Sequence, residues 1–285
     1  MRRLTLGSIS LLLIHAQAAP PVPATPPSLP ATGTYHVIKD VDYQTFEPAE
    51  RGDLYVPERK ATEWRAPAVV WMHGNHHDKA DGRERHVGAD LAAAGYVCLS
   101  INYGDWPTSN DGAKSQARVT QNVVNAKNAV RFLRIHAAEY HVDGEHIALF
   151  GGSAGANLSM LAGFTGEDIA PGTKEVYPGV SSAVSAIGDM YGYANSGWLG
   201  PKLTAKSPAV LIIHGKVDPL LEYQHSIRLE QLLAEKGVPH ELLLLEGVGH
   251  GFDFTKWDNR PLPIDLRPVV LAFLKKYLGP PAPPD

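Results

Sequence analysis

Two short strings carry the residue types of nucleophilic acyl chemistry. Gly151-Gly-Ser-Ala-Gly155 sets a serine between spaced glycines, and Gly249-His-Gly251 sets a histidine between two. A serine hydroxyl is a weak nucleophile at neutral pH. It needs a base to take its proton, and the base needs a carboxylate to orient it. A third string, Ala209-Val-Leu-Ile-Ile-His-Gly-Lys-Val-Asp218, offers that carboxylate at the end of an apolar run, just ahead of Pro219. The expected roles are therefore Ser153 as nucleophile, His250 as general base and Asp218 as the orienting acid. Asp189 is a rival acid, since it follows the apolar stretch Val180–Ile187. Asp253 lies only three residues from His250 and is expected to point elsewhere.

With 27 glycines in the chain, a G-x-S-x-G pattern arises easily by chance, so its surroundings must decide. An apolar run, His146–Phe150, leads into it and a helical pattern starts at once with Ala156, Asn157 and Leu158. A strand–turn–helix elbow of this kind presents a serine at the end of a strand, with glycines where strand and helix approach too closely for side chains. The order serine, aspartate, histidine along the chain suits the same architecture. Among 13 histidines, only His250 combines that order with a glycine-flanked loop after the last apolar run.

The elements that must position these groups alternate along the chain. Apolar runs fall at Ala68–Met72, Tyr96–Asn102, His146–Phe150, Val180–Ile187, Ala209–Ile213 and Glu241–Leu245, most of them without polar alternation, as in strands covered on both faces. Tyr35–Tyr43 and Asp53–Val56 alternate better and read as antiparallel edge strands. Helical patterns occupy Ser115–Ala138, Glu222–Glu235 and Arg267–Leu278, the last stopped by Gly279 and Pro280. The fold class is α/β, with a mostly parallel central sheet flanked by helices in one domain, 35–279.

The oxyanion of a tetrahedral intermediate needs N–H donors. Ala154, directly after the serine, is one. The loop after Ala68–Met72, reading His73-Gly-Asn-His-His-Asp78, offers the N–H groups of Asn75 and His76. His73, His76, His77 and Asp78 also permit a metal reading, but no strict ligand spacing supports it, and neither metal nor cofactor is expected. Trp106 and Trp198 are candidate substrate-binding aromatics, with Tyr193 and Trp257 as further loop aromatics that could stack on a ring or simply pack.

Hydrophobic residues make up 44% and charged residues 20% of the chain, and the formal charge is −4 without any basic run. Nothing here points to nucleic acid or to an anionic membrane surface. The N-terminus has the form of a signal peptide over 1–18: Arg2 and Arg3, the apolar stretch Leu4–Ile14, then Ala16-Gln-Ala18. A Pro/Ala-rich leader over 19–34 follows, and a Pro-rich tail over 280–285 ends the chain. A secreted or periplasmic protein is expected. The lone Cys98 can form no internal disulfide and reads as a small buried hydrophobe.

Taken together, these strings resemble the α/β-hydrolase superfamily, and within it secreted bacterial carboxylesterases related to hormone-sensitive lipase and to the Bacteroidetes feruloyl esterase-like (BD-FAE-like) group. Gly52-Asp-Leu-Tyr-Val-Pro57, the His-Gly pair at 73–74, Ala93-Ala-Gly-Tyr96, Asn102-Tyr103, Ile213-His-Gly215 and Gly249-His-Gly-Phe252 carry the resemblance alongside the serine string. It implies an α/β-hydrolase fold and an ester hydrolase acting through an acyl-enzyme. The substrate would be a small-molecule or polysaccharide-linked ester, with a short-chain acyl, carbohydrate or aryl group. The oxyanion loop departs from the family's usual His-Gly-Gly-Gly. The segment from Tyr191 to Pro208 is short, so little or no lid is expected. A serine peptidase of prolyl-oligopeptidase type and a non-catalytic secreted binding protein on a hydrolase scaffold are the alternatives.

Overall fold

The computed structural model describes residues 33–45, 50–60, 63–107, 112–165, 176–193 and 202–283. The expected signal peptide and most of the leader lie outside these residues, as does Trp198. Eight strands form one sheet: β1 (Tyr35–Asp42), β2 (Arg51–Pro57), β3 (Ala66–Met72), β4 (Val97–Ile101), β5 (Val142–Gly152), β6 (Ala186–Met190), β7 (Ala209–Gly215) and β8 (His240–Leu245). Their order across the sheet is β1-β2-β4-β3-β5-β6-β7-β8. Pairing is antiparallel at β1–β2 and β2–β4 and parallel from β4 through to β8. Every residue of β3, β4 and β7 is buried, which is why their sequences run apolar without alternation. Only β1 is an edge strand at its end of the sheet; β2, expected beside it as an edge, is enclosed by β4, and six of its seven residues are buried.

Helices cover both faces. On one face, α1 (Gly82–Ala93) and α5 (Arg267–Leu278) pack Val87, Leu91, Val270, Phe273 and Leu274 against Val69, Trp71, Cys98 and Phe150. On the other lie α2 (Gly112–Ile135), α3 (Ala154–Phe164) and α4 (Gln224–Glu235). There α2 and α3 cover Val70, Met72, Leu99 and Leu149, while α3 and α4 cover Ile187, Val210 and Ile212. Cys98 is free and fully buried, and burial pushes its thiol up. A two-stranded hairpin, β9 (Lys256–Trp257) with β10 (Arg260–Pro261), follows the last sheet strand; two-residue strands leave no periodicity to read.

Both ends of the domain reach further than composition suggests. The Gly33 N–H donates to the Ala93 carbonyl at 2.8 Å, and the Ala282 N–H donates to the Gly95 carbonyl at 2.8 Å. Ala282 is buried. The carbonyls around the end of α1, left unpaired by helix geometry, give both flanking segments a place to dock.

The sixth strand is the largest displacement from the sequence reading. The stretch 180–185 is irregular, and the strand itself is Ala186–Met190. Asp189 is thus inside the sheet, beside Gly151 and Ile212, and not in a loop beyond it. Its carboxyl is buried and takes the Gly192 N–H at 2.9 Å. Burial pushes it up to about 6, against smaller opposing effects from His214 and the Gly192 N–H. A carboxyl held above its usual value loses stability as pH rises, because the unfolded chain ionises first. Wild type should therefore lose on the order of 3 kcal/mol relative to Asp189→Asn between about pH 4 and 6, then level off. Thermal unfolding of both proteins at pH 4 and pH 7 checks this. A difference that does not change with pH would show that Asp189 is not held neutral.

Candidate active site

The end of β5 and the start of α3 form a tight elbow at Ser153, which adopts φ 55° and ψ −114°. Two glycines make it possible. A Cβ on Gly155 would lie 2.0 Å from the Met72 carbonyl oxygen, and one on Gly151 would lie 2.5 Å from the Gly155 carbonyl carbon. No other residue fits at either position. The elbow is fastened by the Ser153 N–H donating to the Met190 carbonyl at 2.9 Å.

The structure brings Ser153, His250 and Asp218 together. His250 Nε2 lies 2.9 Å from Ser153 Oγ, and its Nδ1 lies 2.6 Å from Asp218 Oδ2. A carboxylate only accepts, so Nδ1 carries the proton and Nε2 faces the hydroxyl as an acceptor. Asp218 also takes the N–H groups of Leu220 and Leu221 on Oδ1, at 2.8 and 2.9 Å, and lies 3.3 Å from His214 Nε2. Burial alone would raise this carboxyl. The donors, His214 and His250 foremost, outweigh it and hold Asp218 well below the usual carboxylate range. It is therefore ionised at neutral pH, and the arrangement can move the Ser153 proton onto His250.

The histidine loop is braced from two sides. Trp257 Nε1 donates to the His250 carbonyl at 3.0 Å. Tyr191 sets its ring edge to face with His250, centroids 4.9 Å apart, and donates its hydroxyl to the Phe252 carbonyl at 2.9 Å. Tyr191 itself has φ 45°, a left-handed residue directly after β6.

The loop after β3 packs against the serine: a Cβ on Gly74 would lie 3.7 Å from Ser153 Cβ. Gly74 to His77 is a turn closed by the His77 N–H on the Gly74 carbonyl, with His76 left-handed at φ 59°. A side chain there costs roughly 1–2 kcal/mol, which glycine would avoid. Several anchors hold the loop in place. Tyr103 stacks on the buried His73 ring and donates to its carbonyl, and the Trp106 N–H donates to Asn75 Oδ1 at 2.8 Å. Lys79 is buried between Asp53 at 2.6 Å and Asp40 at 2.9 Å; burial would lower its ammonium, and the two carboxylates reverse that.

The other residues picked out by sequence fall as follows. The histidine cluster does not converge as a metal site would: His73 donates to the Gly74 carbonyl, His76 is exposed towards Asp105, and His77 pairs with Asp81. Trp106 is half-buried and packs on the core beside α2. Trp257 backs the histidine loop, and Tyr193 is 40% exposed with its edge on His225. Asp253 turns away, taking the N–H groups of Thr255 and Lys256. Three residues of the site escape sequence reading: Tyr191, His214 and the Lys79 ion pair. The only signal for His214 is its place in the string before Asp218.

The BD-FAE family profile matches residues 53–199, half of the chain, and the prolyl oligopeptidase family profile matches residues 186–280. The probable carboxylic ester hydrolase LipM of Mycobacterium tuberculosis is 31% identical over 140 residues, covering 48% of this chain and 30% of LipM. Esterase LipC of the same organism is 27% identical over 224 residues, covering 66% and 52%. The chain thus spans about half or less of the length of these curated relatives. Among solved structures, a truncated carbohydrate esterase from gut microbiota aligns at TM-score 0.68 and 20% identity, covering 89% of this chain and 99% of that one. Apo Thermogutta terrifontis esterase 2 aligns at TM-score 0.67 and 24% identity, covering 89% and 98%. On the extent of the profile match, and with this sheet, the chain belongs to the BD-FAE family and has the α/β-hydrolase fold.

Proposed function

We propose that the protein is a carboxylic-ester hydrolase working through an acyl-enzyme on Ser153. The observation that carries this reading is His250 bridging Ser153 Oγ and Asp218 with one nitrogen each. Ser153 Oγ attacks the ester carbonyl as His250 Nε2 takes its proton. The resulting oxyanion is met by the N–H of Ala154 and by N–H groups of the Asn75–His76 turn. His250 passes its proton to the departing alcohol oxygen as the carbon–oxygen bond breaks. Water, deprotonated by His250, then attacks the acyl-enzyme and returns Ser153 to its hydroxyl form. The substrate is a small ester with a short acyl group, carried on a carbohydrate or aryl alcohol. Support comes from neighbours of the fold described as a carbohydrate esterase and as an esterase with propionate bound. The N-terminal charged and apolar segment, with its small-residue site, supports export to the periplasm or medium.

A peptidase reading draws on the prolyl oligopeptidase match over residues 186–280. Assaying peptide p-nitroanilides beside esters separates the two, and faster peptide cleavage would favour the peptidase.

Ser153→Ala should abolish ester hydrolysis while the thermal transition stays in place, leaving only the residual catalysis of the remaining site. A variant that turns over at near wild-type rates would remove the serine from the mechanism.

Asp218→Asn should lower kcat by up to about 10⁴-fold, because an amide favours the wrong tautomer of the histidine. Asp189→Asn should cost far less, since that carboxyl meets the Gly192 N–H and not His250. If Asp189→Asn is the more damaging change, the orienting acid is misassigned.

Acyl preference should peak between acetyl and butyryl. The connection from Met190 to Ala209, where a cap would sit, is short. An apolar trough would return about 0.8 kcal/mol per buried methylene, so kcat/KM would climb steadily with chain length. An open cleft cannot collect that energy. A p-nitrophenyl ester series below micelle-forming concentration, with acetylated xylan and methyl ferulate alongside, checks this; a maximum at octanoate or longer contradicts it.

A further inference from the structure

Behind the triad lies a second histidine that the proposed mechanism does not use. His214, the sixth residue of β7, is fully buried, with neither ring nitrogen in solvent. Its Nε2 lies 2.9 Å from the Leu221 carbonyl oxygen and 3.3 Å from Asp218 Oδ2. Both neighbours are acceptors, so Nε2 must carry a proton and fork it between them. Its Nδ1 lies 2.7 Å from Ser226 Oγ on α4. When His214 is neutral, the serine hydroxyl donates to that nitrogen and thereby fixes the tautomer. The same carboxylate oxygen that holds His250 is thus held from behind by an imidazole whose own proton is set by a hydroxyl.

We propose that His214, kept as the Nε2–H tautomer by Ser226, is a positioning residue that aims Asp218 and moderates its pull on His250. The proposal rests on the reading of Ser153, His250 and Asp218 as a triad. Asp218 holds four donors: two backbone N–H groups on one oxygen and two imidazoles on the other. The backbone pair fixes one oxygen. Without His214, Oδ2 is free to swing about that anchor and away from His250 Nδ1. The charge on Oδ2 would also be less shared, so the carboxylate would hold protonated His250 more tightly. The base would then need a higher pH to be free for Ser153.

Other titratable groups face this pair. Asp189 on β6 acts on His214 electrostatically, and His225 on α4 lies within electrostatic reach. Tyr191 is set against His250, and a Cβ built on the neighbouring Gly251 would lie 3.2 Å from the guanidinium of Arg83 on α1. Asp189 titrates near 6, so the pH series is repeated in an Asp189→Asn background to keep its proton out of the profile.

The test compares His214→Leu, His214→Gln and Ser226→Ala in kcat, KM and the pH profile of kcat/KM, with thermal unfolding of each. His214→Leu should lower kcat about tenfold or more at little change in KM, the scale of one hydrogen bond to a charged group. It should also move the acid limb of kcat/KM to higher pH. His214→Gln, whose amide can place a donor where Nε2 stood, should restore most of both. Ser226→Ala should give a smaller shift in the same direction, and it serves as the decisive variant if His214→Leu does not fold. An unmoved acid limb in His214→Leu and Ser226→Ala, with activity falling only as stability falls, would overturn the proposal. So would a His214→Gln variant as impaired as His214→Leu. A Ser153→Ala protein that kept its activity would remove the triad itself, an outcome distinct from either.

Discussion

The site depends on a single close contact between backbone atoms. The carbonyl oxygen of Met72, at the end of β3, faces the first turn of α3 at a distance that admits only a hydrogen at residue 155. That contact sets how near the helix can start to the sheet, and therefore how sharply the chain must turn at Ser153. The left-handed φ at the serine follows from it, as does the hydroxyl's place beyond the strand end. The Met72 strand also continues into the turn that packs on Ser153, so one contact fixes the serine and that turn relative to each other. The core below absorbs the strain: β3 is wholly buried and paired on both sides.

A second constraint is electrostatic. Asp218 must remain charged in a place where burial opposes charge, and four donors achieve that. Asp189 shows what the same sheet does to a carboxyl with a single donor. It is pushed up to about 6. The two aspartates lie on neighbouring strands or the loops that leave them, and they differ in the donors they hold, one backbone N–H at Asp189 against four donors at Asp218. Among the described residues, only at the later loop do backbone N–H groups and two imidazoles converge on one carboxylate, which favours Asp218 as the proposed acid.

The sequence discloses the parts of this arrangement that depend on residue type at short range. Glycines two before and two after Ser153, an apolar run ending in Asp218, and a glycine-flanked His250 each reflect a local steric or torsional need. The strands buried on both faces are equally legible, because burial leaves them without polar alternation. What the sequence hides is set by distance. Val180-Ser-Ser-Ala-Val184 reads as the start of a strand because its two valines lead into Ala186-Ile187, yet the pairing with β5 begins only at Ala186. Nothing local distinguishes the two registers, and so Asp189 is misplaced by reading alone. The enclosure of β2 by β4 is likewise a matter of topology, as alternation in β2 looks the same at an edge or inside. Tyr191 and Lys79 act through partners 61 and 26 residues away, and His214 is set on Asp218 by Ser226, 12 residues away.

The loop after β3, proposed to meet the oxyanion, shows how such a site tolerates an unfavourable sequence. His76 occupies a left-handed position that glycine would fill without strain, as it would at Tyr191 on the other side of the serine. Each carries a penalty of roughly 1–2 kcal/mol, large beside the net stability of a domain. The loop nevertheless keeps its turn, because its two flanks are fastened independently of residue 76. Tyr103 holds the His73 carbonyl, the Trp106 N–H holds Asn75, and Lys79 is locked between two carboxylates beyond the turn. With both flanks fixed, the geometry of the intervening N–H groups is dictated by the frame rather than by the residue in the turn. A histidine at 76 then changes what the loop costs and what side chain it shows to solvent, while leaving the backbone donors where the fold puts them.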